Sequence, residues 1–152
     1  MHILFICTGN TCRSPMAEAI ARRAIADGGI AGVTVGSAGA AAHDGAPASA
    51  GARRVVAAAG LELEAHRSAT LTDSVMATAD LALCMDEFHL WRALELGGGE
   101  KCRLLTEMAG ESGGVADPFG GSDDVYRATF SELERLVGAV MARIAAGGDR
   151  TA

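Results

Sequence analysis

The sequence predicts an α/β protein, a single three-layer αβα domain over residues 1–152 in which helices cover both faces of a parallel sheet. Three observations carry this reading. Short apolar runs alternate with longer segments of helical period. Glycines, often paired or tripled, stand where one kind of segment gives way to the next. The opening run, His2-Ile3-Leu4-Phe5-Ile6, is almost wholly apolar, as a strand buried on both faces must be. A chain of 152 residues is long enough for a real core and short for two domains.

Taken in order, the run at 2–6 leads through a tight loop into a first helix. Its start is read from Ser14 as cap and Pro15 as first helical residue, its end from Gly28 and Gly29. Residues 33–37 read as a second strand. A helix from about 47 to 59 follows, closed by Gly60. A short helix at 72–79 precedes a third strand at 81–85, and residues 86–96 are helical up to Gly97-Gly98-Gly99. Residues 101–105 form the fourth strand. In the last helix Tyr126, Phe130, Leu133, Leu136, Val137, Val140, Met141 and Ile144 fall on one face. Met16, Trp91 and Met141 are expected in the core. The pairs Arg22-Arg23 and Arg53-Arg54 should lie on solvated helix faces, and only the tail at 148–152 looks loose.

Composition narrows the function classes. Hydrophobic residues make up 49% but aromatics only 4%, so alanine and branched aliphatics must fill the interior. A net charge of −6 with no basic tract argues against nucleic acid or an anionic membrane as partner. The first apolar run is too short for a signal peptide, and no stretch is long enough to span a bilayer. Cys7, Cys12, Cys84 and Cys102 lack the paired spacing of zinc sites and suit a reduced, cytoplasmic setting.

The chemistry concentrates in Cys7-Thr8-Gly9-Asn10-Thr11-Cys12-Arg13, between the first strand and the first helix. A tight loop there turns successive N–H groups inward and the helix adds its positive end, which makes an anion cradle. Its field is expected to favour the Cys7 thiolate, and Arg13 to fork two oxygens of a bound oxyanion. In a parallel sheet the loops after all four strands face one edge. The long segment 106–122 therefore brings Asp117 over the cradle. A nucleophile, a charge clamp and a proton donor suffice to displace a group from phosphorus without cofactor or metal. The nucleotide P-loop pattern G-x-x-x-x-G-K-[ST] does not occur. Cys12, five positions from Cys7 in a curled loop, is either a small wall residue or the partner in a reversible disulfide that shields the nucleophile.

C-x5-R-S after the first strand, S-A-G at the second, M-D at the third and D-P-F-G near the end resemble the low-molecular-weight protein tyrosine phosphatase family. The loop CTGNTCRSPMAEA and the stretch DPFGGSDDVYRATFSELE look most like its bacterial protein arginine phosphatase branch. The resemblance implies a flavodoxin-like fold, a four-stranded parallel sheet of order 2-1-3-4. It implies Cys7 as nucleophile, Arg13 as oxyanion binder and Asp117 as general acid and base, with Thr8, Gly9, Asn10, Thr11, Cys12 and Ser14 around the phosphate. It also implies that Asn10, Ser14, Ser37 and His66 brace the loop, Ser14 donating to the Cys7 sulfur. Thr11 stands where tyrosine-specific relatives carry a larger aliphatic residue, and Phe119 is the one stacking surface in prospect. Both favour phosphoarginine in a protein over phosphotyrosine, and a protein arginine kinase is the counterpart implied. Phe119 as core filler competes with Phe119 as pocket wall. Rival readings are a tyrosine phosphatase of the same fold, a thiol-coupled arsenate reductase, disfavoured because Cys84 has no cysteine close after it, and a non-catalytic oxyanion-binding module.

Overall fold

The computed structural model describes residues 1–147; the tail expected at 148–152 lies outside them. Four parallel strands, β1 (His2–Cys7), β2 (Thr34–Gly39), β3 (Leu81–Cys84) and β4 (Cys102–Leu104), form one sheet in the order β2-β1-β3-β4. The expected order holds. β1 is hydrogen-bonded on both edges, which explains its unbroken apolar run, and its side chains alternate between two cores. Ile3 and Phe5 enter the larger core, beneath α1 (Arg13–Gly28), α2 (Ala50–Ala58) and α6 (Asp123–Ala145). Leu4 and Ile6 enter the smaller one, beneath α3 (Asp73–Thr78) and α4 (Glu87–Glu95).

Local chemistry sets most boundaries. Gly29, with φ of 58°, ends α1 in the left-handed conformation open to glycine. Ser49 caps α2 by accepting from Ala52 N–H, so that helix begins three residues later than expected. The whole predicted apolar stripe of α6 is buried. A one-turn helix, α5 (Leu105–Met108), follows β4 inside the segment read as loop. Two expectations fail. Ser14 does not cap α1: Cys12 holds that position, and Pro15 sits a turn inside, where its missing N–H has no helical acceptor anyway. Trp91 is not core but 60% exposed, because Leu90 and Ala93 on the neighbouring face of α4 cover the sheet. Among the described residues no helix is long and apolar enough to cross a membrane.

Candidate active site

The bowl is built from its rim inward. Between β1 and α1 the carbonyls of Cys7, Thr8 and Thr11 accept from the N–H groups of Ala40 (2.8 Å), Ala41 (2.9 Å) and Ser49 (2.9 Å). His66 Nε2 meets the Asn10 carbonyl at 2.7 Å. In a planar trans peptide the next N–H points opposite its carbonyl, so these four outward contacts turn the amides of Thr8, Gly9, Thr11 and Cys12 inward. Asn10 makes the sharpest turn, with φ of 56°, the one positive value among described non-glycine residues. Gly39 lets β2 approach, since a Cβ there would lie 2.6 Å from the Thr8 carbonyl oxygen.

Cys7 lies buried at the floor with its Sγ 2.9 Å from Ser14 Oγ. Ala69 N–H donates to Asn10 Oδ1 at 2.9 Å, which fixes the amide so that Nδ2 donates to Ser14 Oγ at 2.8 Å. The Ser14 hydrogen is then free to donate to the sulfur, as the resemblance implied. Burial nevertheless pushes the Cys7 thiol up; the Ser14 hydroxyl, the N–H groups of Ser14 and Asn10 and the Arg13 guanidinium pull the other way. Burial thus opposes the thiolate that the cradle is built to favour.

Arg13 is buried. Its Nη1 donates to the Val115 carbonyl at 2.9 Å and to Asp86 Oδ2 at 3.3 Å, and its Nη2 to Thr8 Oγ1 at 3.3 Å. Its Nε, also buried, has no partner among the described residues. Asp117 Oδ2 stands 3.6 Å from Arg13 Nη2, while its Oδ1 accepts from Phe119 N–H at 3.1 Å in an Asx turn. The segment bearing it is pinned by Val115, whose N–H donates to the Met85 carbonyl at 2.8 Å. Cys7, Thr8, Gly9, Thr11, Cys12, Arg13, Asp117 and Phe119 line one cavity of about 290 Å³, with Ala41, Ala42, His43 and Ala46 completing its wall.

The structure thus brings the predicted loop residues, Asp117 and Phe119 together and leaves Ser37 apart. Ser37 Oγ donates to Glu18 Oε2 at 2.6 Å and braces α1 rather than the loop, because it lies beside Phe5 and the strand draws level with Cys7 only at Gly39, two residues later. Phe119, 72% exposed, is wall and not core. Cys7 and Cys12 are both free thiols; Cys12 Sγ is turned to Ser49 Oγ (3.2 Å) and Tyr126 OH (3.3 Å), which gives Tyr126 a supporting contact the sequence did not assign.

Sequence reasoning missed Asp86 and His89 as site residues. Asp86 caps α4 with Oδ1 while Oδ2 holds Arg13. His89 is fully buried, and burial, Arg13 assisting against Asp86 and Asp117, lowers its pKa to about 4, so the ring is neutral. An available signal was Asp86-x-x-His89, a capping-box spacing with histidine in the place of glutamate. Among the described residues no group of three or more His, Cys, Asp or Glu side chains is placed to hold a metal ion.

The low molecular weight phosphotyrosine protein phosphatase family matches residues 2–149. The chain belongs to that family. It is similar to the protein-arginine-phosphatase of Geobacillus stearothermophilus, 41% identical over 139 residues and 90% of each chain. It is also similar to the low molecular weight protein-tyrosine-phosphatase PtpB of Staphylococcus haemolyticus, 37% identical over 91% of this chain and 96% of that one. Among solved structures, the C7S mutant of the YwlE arginine phosphatase with a phosphorylated active-site serine superposes with a TM-score of 0.90 at 39% identity, covering 95% of both chains. This member of the phosphatase family thus brings Cys7, Arg13 and Asp117 to one cavity.

Proposed function

We propose that this protein hydrolyses phosphoarginine on protein substrates through a cysteinyl-phosphate intermediate, residues 1–152 acting as one catalytic domain. The observation that carries the reading is the juxtaposition at the cavity: Cys7 at its floor, Arg13 with a free Nε edge beside it, and Asp117 across the mouth. The cycle starts from the Cys7 thiolate and the protonated Asp117 carboxyl: Arg13 and the inward amides hold the phosphoryl oxygens while the thiolate attacks phosphorus. The P–N bond breaks, and the departing guanidine nitrogen takes a proton from Asp117. The Asp117 carboxylate then removes a proton from water, whose oxygen attacks the same phosphorus; the P–S bond breaks, releasing inorganic phosphate and the Cys7 thiolate. The phosphorylated active-site serine of the structural relative supports a covalent phosphoryl group in such a bowl.

Arginine over tyrosine rests on the wall. Ala41, Ala42 and Ala46 offer no aromatic grip, Phe119 presents the one phenyl ring beside the smaller His43 imidazole, and Thr11 adds a small hydroxyl-bearing face. The similarity to protein-arginine-phosphatases supports the same choice. The second reading, a tyrosine phosphatase, is favoured by the likeness to PtpB and by that exposed Phe119 ring. Turnover of phosphoarginine and phosphotyrosine peptides measured side by side separates them: a marked phosphoarginine preference is expected, and a tyrosine preference overturns the assignment. Cys7→Ser should lose turnover while still binding phosphate. The reading carries with it a cytoplasmic location, where the four free thiols stay reduced, and a protein arginine kinase as functional counterpart.

A further inference from the structure

We infer that His89 is a positioning residue for the phosphoryl group, acting through the hydroxyl of Thr8. This deepens the phosphatase reading and rests on it. Asp86 N–H donates to His89 Nδ1 at 3.2 Å; Asp86 Oδ1 is equally near that nitrogen but makes no hydrogen bond with it, being taken by Phe88 N–H and His89 N–H, so Nδ1 presents its lone pair and the ring proton sits on Nε2. Protonating Nδ1 would leave the Asp86 N–H facing a second donor. His89 Nε2 therefore donates to Thr8 Oγ1, 2.7 Å away. The same oxygen accepts from Arg13 Nη2 at 3.3 Å. Thr8 Oγ1 thus has two partners, both donors, and both its lone pairs are taken. Its own hydrogen has no acceptor among the described residues, and Thr8 lines the cavity it shares with Cys7 and Arg13.

The logic is that of the floor, where Asn10 occupies the Ser14 oxygen and frees its hydrogen for the Cys7 sulfur. At the rim, His89 occupies the Thr8 oxygen and frees its hydrogen for a phosphoryl oxygen. The ring's complete burial, with α4 anchored by Asp86, holds this donor in one orientation. An alternative tautomer would reverse the relay and make Thr8 donate backward into the protein.

A double-mutant cycle tests it, reading kcat/KM on a phosphoarginine peptide and on an aryl phosphate, and the dissociation constant of inorganic phosphate by calorimetry. Thr8→Val should lose roughly 10-fold or more on kcat/KM, the scale of one hydrogen bond to a charged group. His89→Leu should lose a comparable factor, and the double variant no more than either alone. His89→Gln, which keeps an N–H near the Nε2 position, should recover most of the loss. Losses that multiply in the double variant, or a His89→Gln as impaired as His89→Leu, overturn the inference. Should His89→Leu not fold, His89→Gln and Thr8→Val decide it: a Thr8→Val that binds phosphate and turns over like the native protein refutes the proposal. If the native protein hydrolyses neither substrate, the phosphatase reading fails instead, a result distinct from any variant pattern.

Discussion

Ser14→Ala removes a single oxygen, and that oxygen is the largest local influence pulling the Cys7 thiol down. The native hydroxyl lies 2.9 Å from the sulfur, and the Asn10 amide behind it forces its hydrogen forward. A hydrogen bond to a charged acceptor is worth roughly 1.5–3 kcal/mol. At about 1.4 kcal/mol per pKa unit, the thiol should rise by roughly 1–2 units in the variant. The direction follows because only the thiolate gains from the donor, so its loss makes Cys7 less acidic. At neutral pH the thiolate fraction falls about 10- to 100-fold, but each thiolate becomes intrinsically more nucleophilic, which offsets roughly half of that on a logarithmic scale. The net expectation is an alkylation rate about 3- to 10-fold lower, with its pH midpoint displaced upward. Iodoacetamide labelling of Cys7 followed by intact mass across a neutral-to-alkaline series measures both. Cys84 and Cys102 should not compete, since burial pushes both thiols up. Losing its acceptor also leaves Asn10 Nδ2 unpaired in the interior, so the variant should lose about 1–3 kcal/mol of stability. A midpoint that stays in place or moves down would refute the relay from Asn10 through Ser14 to the sulfur.

Asp117→Asn should lower kcat by roughly 100-fold, since one group serves both half-reactions; steady-state rates check it. Gly39→Ala would place a Cβ 2.6 Å from the Thr8 carbonyl oxygen and from Ala42 Cβ, two positions that cannot both retreat. It should cost about 2 kcal/mol or more and cut turnover at least 10-fold, read by thermal melting and by activity. Thr11→Ile should shift the rate ratio toward phosphotyrosine while sparing Cys7 alkylation, and an unchanged ratio removes Thr11 from the specificity argument. His89 takes its proton near pH 4 in the folded state against 6.5 for an unhindered ring. As pH falls through that window the unfolded chain binds a proton the folded one refuses, so stability should drop by about 2–3 kcal/mol. Urea denaturation at stepped pH should show this slope in the native protein and its loss in His89→Gln.

What the sequence made legible was whatever is contiguous or periodic. The loop from Cys7 to Arg13 supplies nucleophile, amides and guanidinium from seven successive residues, so its chemistry is visible without a fold. The stripe on α6 is visible for the same reason, being one face of one helix. Asp117 was reachable because sheet topology says where its loop must go. His89 was not, because its meaning depends on a hydroxyl 81 positions away. Trp91 misled because α4 carries more apolar side chains than its sheet-facing side needs: Leu90 and Ala93 fill that role, and Phe88, Trp91 and Leu94 are left facing outward. At Cys7 the sequence showed only one side of a balance. Spacing reveals the dipoles aimed at a sulfur but not how thoroughly water is excluded from it.

The unpartnered Nε of Arg13 has a thermodynamic corollary. A buried N–H without an acceptor burdens the fold, and any tetrahedral oxyanion seated in the bowl relieves that burden. Inorganic phosphate should therefore raise the melting temperature and, as the leaving product, hold the enzyme against its next turnover. Sulfate, vanadate and tungstate should do likewise in proportion to their fit. The native arginine would then serve as a built-in reporter of product retention, readable in a melting curve with no substrate present.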